Sequence, residues 1–272
     1  MIIGIDIGGT TTDIVGLLNG VLLTPLTVKA DDPVTSAAGA LGKFLEANNF
    51  ALENVRLIAA TGVGSGKIRE KLFGLPVVKV DEFDAIGTAG LFLSGLKEAV
   101  VVSMGTGTAI VIVKNGKTTH WGGSGVGGGT LVGLARQMLN ITTIHTLIDK
   151  AGKGKLERVD LTVGDIAGGS LDNLPESITA SNFGKMADEA TDEDIALAIL
   201  NLVAQTIGVM SIAAARSEKI QDIILTGKLS GISLMKNILE KVADLYTTKF
   251  LIPEHADFAT AIGAALFVGR SQ

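Results

Sequence analysis

The chain has 272 residues, of which 47% are hydrophobic, 19% are charged, 35 are glycine and none is cysteine. This composition predicts one large or two smaller folded domains and excludes a disordered chain, while glycine without a G-X-Y period excludes collagen. The missing cysteines exclude disulfides and thiolate metal sites, and the net charge of −5 argues against a broad nucleic-acid-binding surface. We expect a cytoplasmic protein with no nucleic-acid partner and, because the chain opens on an apolar strand pattern, no leader sequence.

Short β-branched runs alternate with longer helical patterns, which indicates an α/β protein. The first part of the chain predicts a helix at 33–48 and strands at 1–6, 12–18, 21–28, 55–61 and 77–80. The second part predicts strands at 99–104, 109–113, 117–121, 222–225 and 249–252. Helices are predicted in this second part at 129–139, 144–152, 191–217, 234–246 and 256–268.

The order strand, Gly/Thr turn, strand, Asn-Gly turn, strand occurs twice, beginning at residues 1 and 99. An internal duplication is the simplest explanation of this repeated order. It predicts two related domains, which we place at 1–90 and 91–272. Since no proline-rich linker separates them, the two domains are expected to pack tightly.

An uncharged stretch at 195–215 is long enough to span a bilayer. However, Asn201 and Gln205 interrupt it, and the acidic run at 192–194 just before it suits a helix N-terminus. Interior helices of soluble proteins are also apolar on all sides. The stretch is therefore interpreted as a helix in a core or a subunit interface, with no membrane partner.

Two turns carry the residue types that bind phosphate, because glycine lets a phosphate approach the backbone and threonine adds a donor. The first follows Asp6, a carboxylate expected to hold Mg²⁺ through water, and the second lies at 105–108. Either turn alone is most often an ordinary tight turn, but matching positions in a duplicated unit favour ATP phosphates. The expected nucleotide-binding residues of these turns are Asp6, Gly8, Gly9, Thr10, Thr11, Thr12, Gly105, Thr106, Gly107 and Thr108.

A glycine-rich segment at 122–129 runs directly into a predicted helix, so Gly127, Gly128 and Gly129 are expected at an anion site. The alternative is a flexible linker. Gly227 lies at the end of a predicted strand and is expected to approach the nucleotide base or ribose. Alternatively, Thr226-Gly227-Lys228 is an ordinary turn with a solvated lysine. Neither a Walker motif nor a Rossmann glycine motif occurs in the required context.

The paired D-x-G-G-T and G-T-G-T turns resemble those of the actin, sugar kinase and Hsp70 superfamily. Within it, the chain is similar to the type II pantothenate kinases. The resemblance implies an α/β, duplicated ribonuclease H-like (actin-like ATPase) two-domain fold, with ATP in the interdomain cleft. The matching segments are 6–10, 82–85, 104–108, 122–129, 179–184 and 261–264.

This resemblance implies transfer of the γ-phosphate of ATP to the primary hydroxyl of pantothenate, with Mg²⁺, as the first step of coenzyme A synthesis. It also implies a homodimer paired through the long helix, and Glu82 as the catalytic base. One carboxylate is sufficient for this chemistry, since phosphoryl transfer depends mainly on positioning and charge neutralisation. Without the resemblance, Asp81, Glu82 and Asp84 are typical of a solvated acidic turn.

Three positions depart from the family pattern, in which Ser, Arg and Lys stand where this chain has Ala109, His120 and Asp13. His120 is not a conservative replacement, because arginine forks onto a carboxylate and neutral histidine offers one donor. The substrate is expected at Ala109, His120, Gly122 and Gly123. The acceptor is then pantothenate held differently or a related hydroxyl compound. The alternative function is an acceptor-independent ATPase or a nucleotide-gated module, which Asp13 favours. The alternative interpretation of His120 and Trp121 is that both are plain strand residues.

Overall fold

The computed structural model describes residues 1–29, 31–171, 174–185 and 189–270. Its first part contains, in chain order, β1 (Ile2–Ile7), β2 (Thr11–Leu18), β3 (Val21–Leu22), β4 (Leu26–Lys29), α1 (Pro33–Ala47), β5 (Leu57–Thr61), β6 (Lys71–Leu72), β7 (Leu75–Lys79) and α2 (Glu82–Ser94). The rest contains β8 (Ala99–Met104), β9 (Thr108–Lys114), β10 (Lys117–Ser124), α3 (Gly128–Leu139), α4 (Ile144–Ala151), β11 (Leu161–Thr162), α5 (Val163–Ala167), β12 (Thr179–Ser181), α6 (Asp192–Glu218), β13 (Ile223–Thr226), α7 (Ser233–Leu245), β14 (Phe250–Leu251) and α8 (Ala259–Arg270).

The two main sheets have the same strand order. The first sheet runs β3-β2-β1-β5-β7-β6, with β4 also paired to β2, and the second runs β10-β9-β8-β13-β14. In each sheet the first long strand pairs antiparallel with the strand that follows it and parallel with a later strand. This repetition confirms the predicted duplicated α/β fold. The division at residue 90 stays a prediction, since α8 closes the chain by packing on the first sheet.

The structure differs from the predicted elements at two places in the first part. The single strand predicted at 21–28 is two strands, β3 and β4, separated by a segment that contains Pro25, which has no amide to donate to a ladder. The predicted acidic turn at 81–84 is the start of α2. The Asp81 carboxylate caps this helix by accepting from the amides of Phe83 and Asp84 at 2.9 and 3.2 Å.

Helix α8 holds α2 against the first sheet through backbone contacts that only glycine allows. A Cβ on Gly4 would overlap the Ala261 carbonyl oxygen, and a Cβ on Gly263 would overlap the Ala85 carbonyl oxygen. The other face of the first sheet packs on α1, where Phe44 is fully buried. The first turn of α2 lies near enough to the end of β1 that the charge of Glu82 raises the pKa of Asp6.

Helix α6 is long and apolar enough to cross a membrane by length and composition alone. In the structure it packs against α3, α4 and α7 and buries a row of side chains that includes Leu200, Val203 and Ile207. The prediction of a core helix is therefore confirmed. At its N-terminus the buried Asp194 carboxylate accepts from the Lys155 amide at 2.7 Å.

Candidate active site

The structure brings the two predicted phosphate turns into direct contact. The first turn joins β1 to β2, where the Gly8 amide donates to the Thr11 carbonyl at 3.0 Å. The second joins β8 to β9 and is closed by a 2.9 Å bond between Gly105 and Gly107. The hydroxyls of Thr10 and Thr106, both on exposed residues, lie 3.1 Å apart across the gap. One polyphosphate chain is thus within reach of donors from both turns.

The glycine-rich segment at 122–129 supports the second turn through backbone hydrogen bonds. The amides of Gly128 and Gly129, at the start of α3, donate to the carbonyls of Gly105 and Thr106 at 2.9 and 2.8 Å. A Cβ on Gly127 would lie 2.7 Å from the Thr106 carbonyl oxygen. These two amides are therefore engaged with the protein itself, and the glycines let the helix start approach the turn closely enough to fix it.

Each sheet also has a Thr-Gly pair at the end of an inner strand, at 61–62 and 226–227. Both glycines have positive φ, +83° and +85°, and each is followed by a short 3₁₀ helix, Val63–Lys67 or Lys228–Gly231. A Cβ on Gly62 would overlap a carboxylate oxygen of Asp6, and one on Gly227 would lie 2.7 Å from the Met104 carbonyl oxygen. Gly227 was predicted at the site. Gly62 was missed, although the same Thr-Gly pattern after an apolar strand marks both.

Three carboxylates, Asp6, Asp13 and Glu82, form an acidic cluster beside the first turn. Asp6 and Asp13 are cross-strand partners in the β1–β2 ladder. Burial raises the pKa of Asp6 to about 7, with further contributions from the charges of Asp13 and Glu82 and an opposing one from Lys228. Burial, followed by the charge of Asp81, also raises the pKa of Glu82. The cluster therefore has an excess of negative charge that a bound cation would relieve.

The cluster suits magnesium that arrives with a nucleotide better than a metal held by protein alone. Within the described ranges, no group of three or more Asp, Glu or His side chains is arranged to hold a metal ion. Mg²⁺ commonly takes one or two carboxylates, with phosphate and water completing its shell. Asp6 supplies such a carboxylate, and it pairs in the β1–β5 ladder with Thr61, whose buried hydroxyl has no hydrogen-bond partner among the described residues.

A cation from the second sheet neutralises Asp13. The Lys228 ammonium donates to Asp13 Oδ1 at 2.8 Å and to Thr27 Oγ1 at 2.9 Å, and lies 4.0 Å from the centroid of the Phe258 ring. From sequence alone, Lys228 is a solvated lysine in one alternative, and nothing pairs it with Asp13. No local pattern connects residues so far apart in the chain.

The predicted acceptor residues gather at the start of α2. The His120 ring stacks on Phe83, with centroids 4.0 Å apart and an interplanar angle of 8°, and Phe83 directly follows Glu82. Ala109 packs against the same small apolar cluster as Phe83 and faces Gly123 across the β9–β10 ladder. Trp121 occupies a bulge in β10, and its indole donates to the Ser217 hydroxyl at 3.1 Å.

Gly122 resumes the β9–β10 pairing directly after this bulge, opposite Ile110. The four predicted acceptor residues, Ala109, His120, Gly122 and Gly123, therefore share one stretch of ladder. Trp121 is tied to the end of α6 instead. Whether His120 binds the acceptor, or His120 and Trp121 are plain strand residues, stays a prediction.

Known proteins match this chain in sequence over most of its length. The Fumble family model matches residues 99–267. A type II pantothenate kinase of Bacillus anthracis is 32% identical over 259 residues, covering 90% of this chain and 88% of that protein. One from Bacillus cereus (strain ATCC 10987 / NRS 248) is 30% identical over 284 aligned residues, covering 99% of this chain and 98% of that protein.

A solved structure supports the fold independently of these sequences. The activator of the 2-hydroxyisocaproyl-CoA dehydratase from Clostridium difficile, with bound ADPNP, superposes with a TM-score of 0.69 at 17% identity. The match covers 99% of this chain and 94% of the activator and shows the fold alone. Because the family model covers more than half of the chain and the relatives cover nearly all of it, the chain belongs to the type II pantothenate kinase family.

Proposed function

We propose that the protein is an ATP-dependent pantothenate kinase, which converts ATP and pantothenate to ADP and 4′-phosphopantothenate in the first step of coenzyme A synthesis. The observation that carries the proposal is the 3.1 Å contact between the two phosphate turns, beside the acidic cluster, in a member of this family. Two donor turns next to one base are the parts that phosphoryl transfer requires.

The residues expected to bind ATP have different roles. The exposed residues of the two turns, Gly9, Thr10 and Thr106, are the proposed phosphate contacts. Thr12 and Thr108 are buried, and the Thr108 hydroxyl donates to the Val126 carbonyl at 2.8 Å, so these two support the turns. The glycines at 127–129 brace the second turn, and Gly227 lies on the nucleoside side. Asp6 would hold Mg²⁺ through water, and the metal would neutralise phosphate charge when bound. A Cβ on Gly8, Gly107 or Gly127 would lie less than 3 Å from a backbone carbonyl oxygen, so the arrangement depends on residue size as well as on donors.

Glu82 is the proposed general base. The acceptor hydroxyl passes its proton to the Glu82 carboxylate as its oxygen bonds to the γ-phosphorus. The bond between that phosphorus and the β–γ bridging oxygen breaks, and ADP leaves with the bond electrons. Because burial raises the Glu82 pKa, the ionised carboxylate is a stronger base than an exposed glutamate.

The experiment that tests this function is ADP release from MgATP with no acceptor, pantothenate, pantetheine or pantoate. Stimulation by pantothenate is the expected result. Stimulation by another compound alone would mean that the acceptor pocket serves a different hydroxyl substrate. Turnover that ignores every acceptor would support the ATPase alternative, which the presence of Asp13 beside the first turn favours.

We predict that His120→Arg lowers the KM for pantothenate by roughly tenfold, because a guanidinium forms charge-assisted bonds to the pantothenate carboxylate that imidazole does not. The stack of His120 on Phe83, which directly follows Glu82 in the chain, supports a role for residue 120 in orienting the substrate. Initial-rate kinetics measure the change, with panthenol, which has no carboxylate, as the control acceptor. An equal gain for panthenol would show that residue 120 does not contact that carboxylate.

We also propose a cytoplasmic homodimer, supported by the absence of cysteine and by exposed apolar side chains on two helices that pack together. Val132 and Met138 on α3 and Val209 on α6 are 36%, 42% and 42% exposed. Light scattering after gel filtration should give a dimer, and Val209→Lys should give a monomer, because a buried unpaired lysine opposes association. Val21→Lys, in β3, should remain dimeric. A monomeric wild type, or dissociation of both variants, contradicts this interface.

A further inference from the structure

Side-chain hydrogen bonds connect the strands of the first sheet to the second sheet and its turns at two places in the described part of the chain. One is the bond between the exposed hydroxyls of Thr10 and Thr106. The other joins Lys228, in the 3₁₀ helix after β13, to Asp13 in β2 and Thr27 in β4. Only the second involves charge, so it is the stronger of the two connections.

Asp13, Thr27 and Lys228, which we call the lysine clamp, form a closed set of bonds. Lys228 donates to both partners, and Thr27 Oγ1 in turn donates to the same Asp13 oxygen at 2.6 Å. The Asp13 side chain is only 9% exposed, whereas the Lys228 side chain is 32% exposed. A nearly buried carboxylate depends on its cation, because an unpaired buried charge is strongly unfavourable.

The clamp also fixes the segment that carries Gly227. Phe258, whose ring lies under the Lys228 ammonium, belongs to the 3₁₀ turn just before α8. In the same place the Gly227 amide donates to the Ala256 carbonyl at 2.8 Å. The end of β13 is therefore held both by β2 and β4 of the first sheet and by the turn that precedes α8. Strand β13 in turn pairs with β8, which leads into the second phosphate turn.

We propose that Lys228 is a positioning residue for nucleotide binding, whose bonds to Asp13 and Thr27 hold the two phosphate turns at the spacing at which both contact one polyphosphate. The inference rests on the proposed function, in which a nucleotide binds between these turns. If the clamp is lost, the two sheets separate more readily and fewer molecules have the binding spacing. Apparent affinity falls in proportion to that fraction.

Lys228→Met is expected to weaken binding of MgADP by roughly tenfold in calorimetry, while kcat at saturating ATP changes little. The matched control is Lys236→Met, since Lys236 is an exposed lysine of α7 whose ion pair with Glu240 spans 4.0 Å. Asp13→Asn should weaken binding to the same extent as Lys228→Met. The double variant Asp13→Asn/Lys228→Met leaves no unpaired buried charge, so it should fold and should bind MgADP no more weakly than Lys228→Met alone. Wild-type affinity in Lys228→Met, or simple addition of the two effects, overturns the inference.

A distance measurement separates this inference from the proposed function. Because the chain has no cysteine, spin labels can be attached at Lys43→Cys in α1 and Asp244→Cys in α7, both exposed positions. Without nucleotide, Lys228→Met should give a longer and broader distance distribution than the wild type, and Lys236→Met should not. An unchanged distribution overturns the clamp. Failure of the wild type to bind MgADP would instead overturn the proposed function and leave the distance result standing.

Discussion

Glu82→Gln lowers kcat for phosphorylation of pantothenate by about 10²- to 10⁴-fold, the usual contribution of a general base. The amide has the shape of the carboxylate but accepts no proton, so the acceptor hydroxyl is no longer activated. MgADP affinity should change far less than kcat, since Glu82 is proposed to act on the acceptor hydroxyl and is not among the proposed nucleotide contacts. Steady-state kinetics and calorimetry measure the two quantities separately.

Asp84→Asn is the matched control for this variant, because Asp84 lies in the same turn of α2 and carries the same charge. Asp81 is unsuitable, since its carboxylate caps the helix. In the wild type, kcat/KM should fall as the pH drops through the raised pKa of Glu82, because the base must be ionised. Near-wild-type kcat in Glu82→Gln, or an equal loss in Asp84→Asn, would show that the base lies elsewhere.

Gly263→Ala is expected to lower the free energy of unfolding by about 3 kcal/mol, at the upper end for overpacking, because the added Cβ would overlap the Ala85 carbonyl oxygen. Backbone has little freedom to move aside, so α2 and α8 must separate. Urea unfolding followed by circular dichroism measures the change.

The matched control for this substitution is Gly269→Ala in the same helix, where the new Cβ would lie 3.5 Å from the Ile2 side chain, an ordinary contact. It should be neutral or stabilising by up to about 1 kcal/mol, since alanine favours helix. Equal stability of the two variants would contradict the close contact between α2 and α8. Because α2 carries Glu82, the Gly263→Ala protein that does fold should also have a lower kcat.

The elements that sequence alone predicted are those specified by neighbouring residues. Both phosphate turns, the duplication and the core helix α6 follow from glycine, threonine and apolar patterns within short stretches. Helix α2 was missed because its residues from Ala85 to Gly90 are all buried, so it has no amphipathic period to detect. Its two glycines, Gly87 and Gly90, further weaken a helix prediction although each is needed for close packing.

The parts of the site that sequence could not predict depend on residues far apart in the chain. The stack of Phe83 on His120 and the pairing of Lys228 with Asp13 arise only when the two sheets come together. Asp13, recognised as a departure from the family pattern, is neutralised by this lysine from the other sheet. A positive charge therefore lies beside the first phosphate turn even though the turn's own strand supplies an acid.

Transfer of labelled γ-phosphate from ATP to pantothenate, with the product identified by mass spectrometry, tests the central claim most directly. The proposed function predicts 4′-phosphopantothenate carrying the label, formed in equal amount with ADP, and formation of this product about 10²- to 10⁴-fold more slowly with Glu82→Gln. ADP formed without any labelled acceptor would contradict a kinase and favour an ATPase. The absence of both products from a protein that binds MgADP would contradict catalysis at this site.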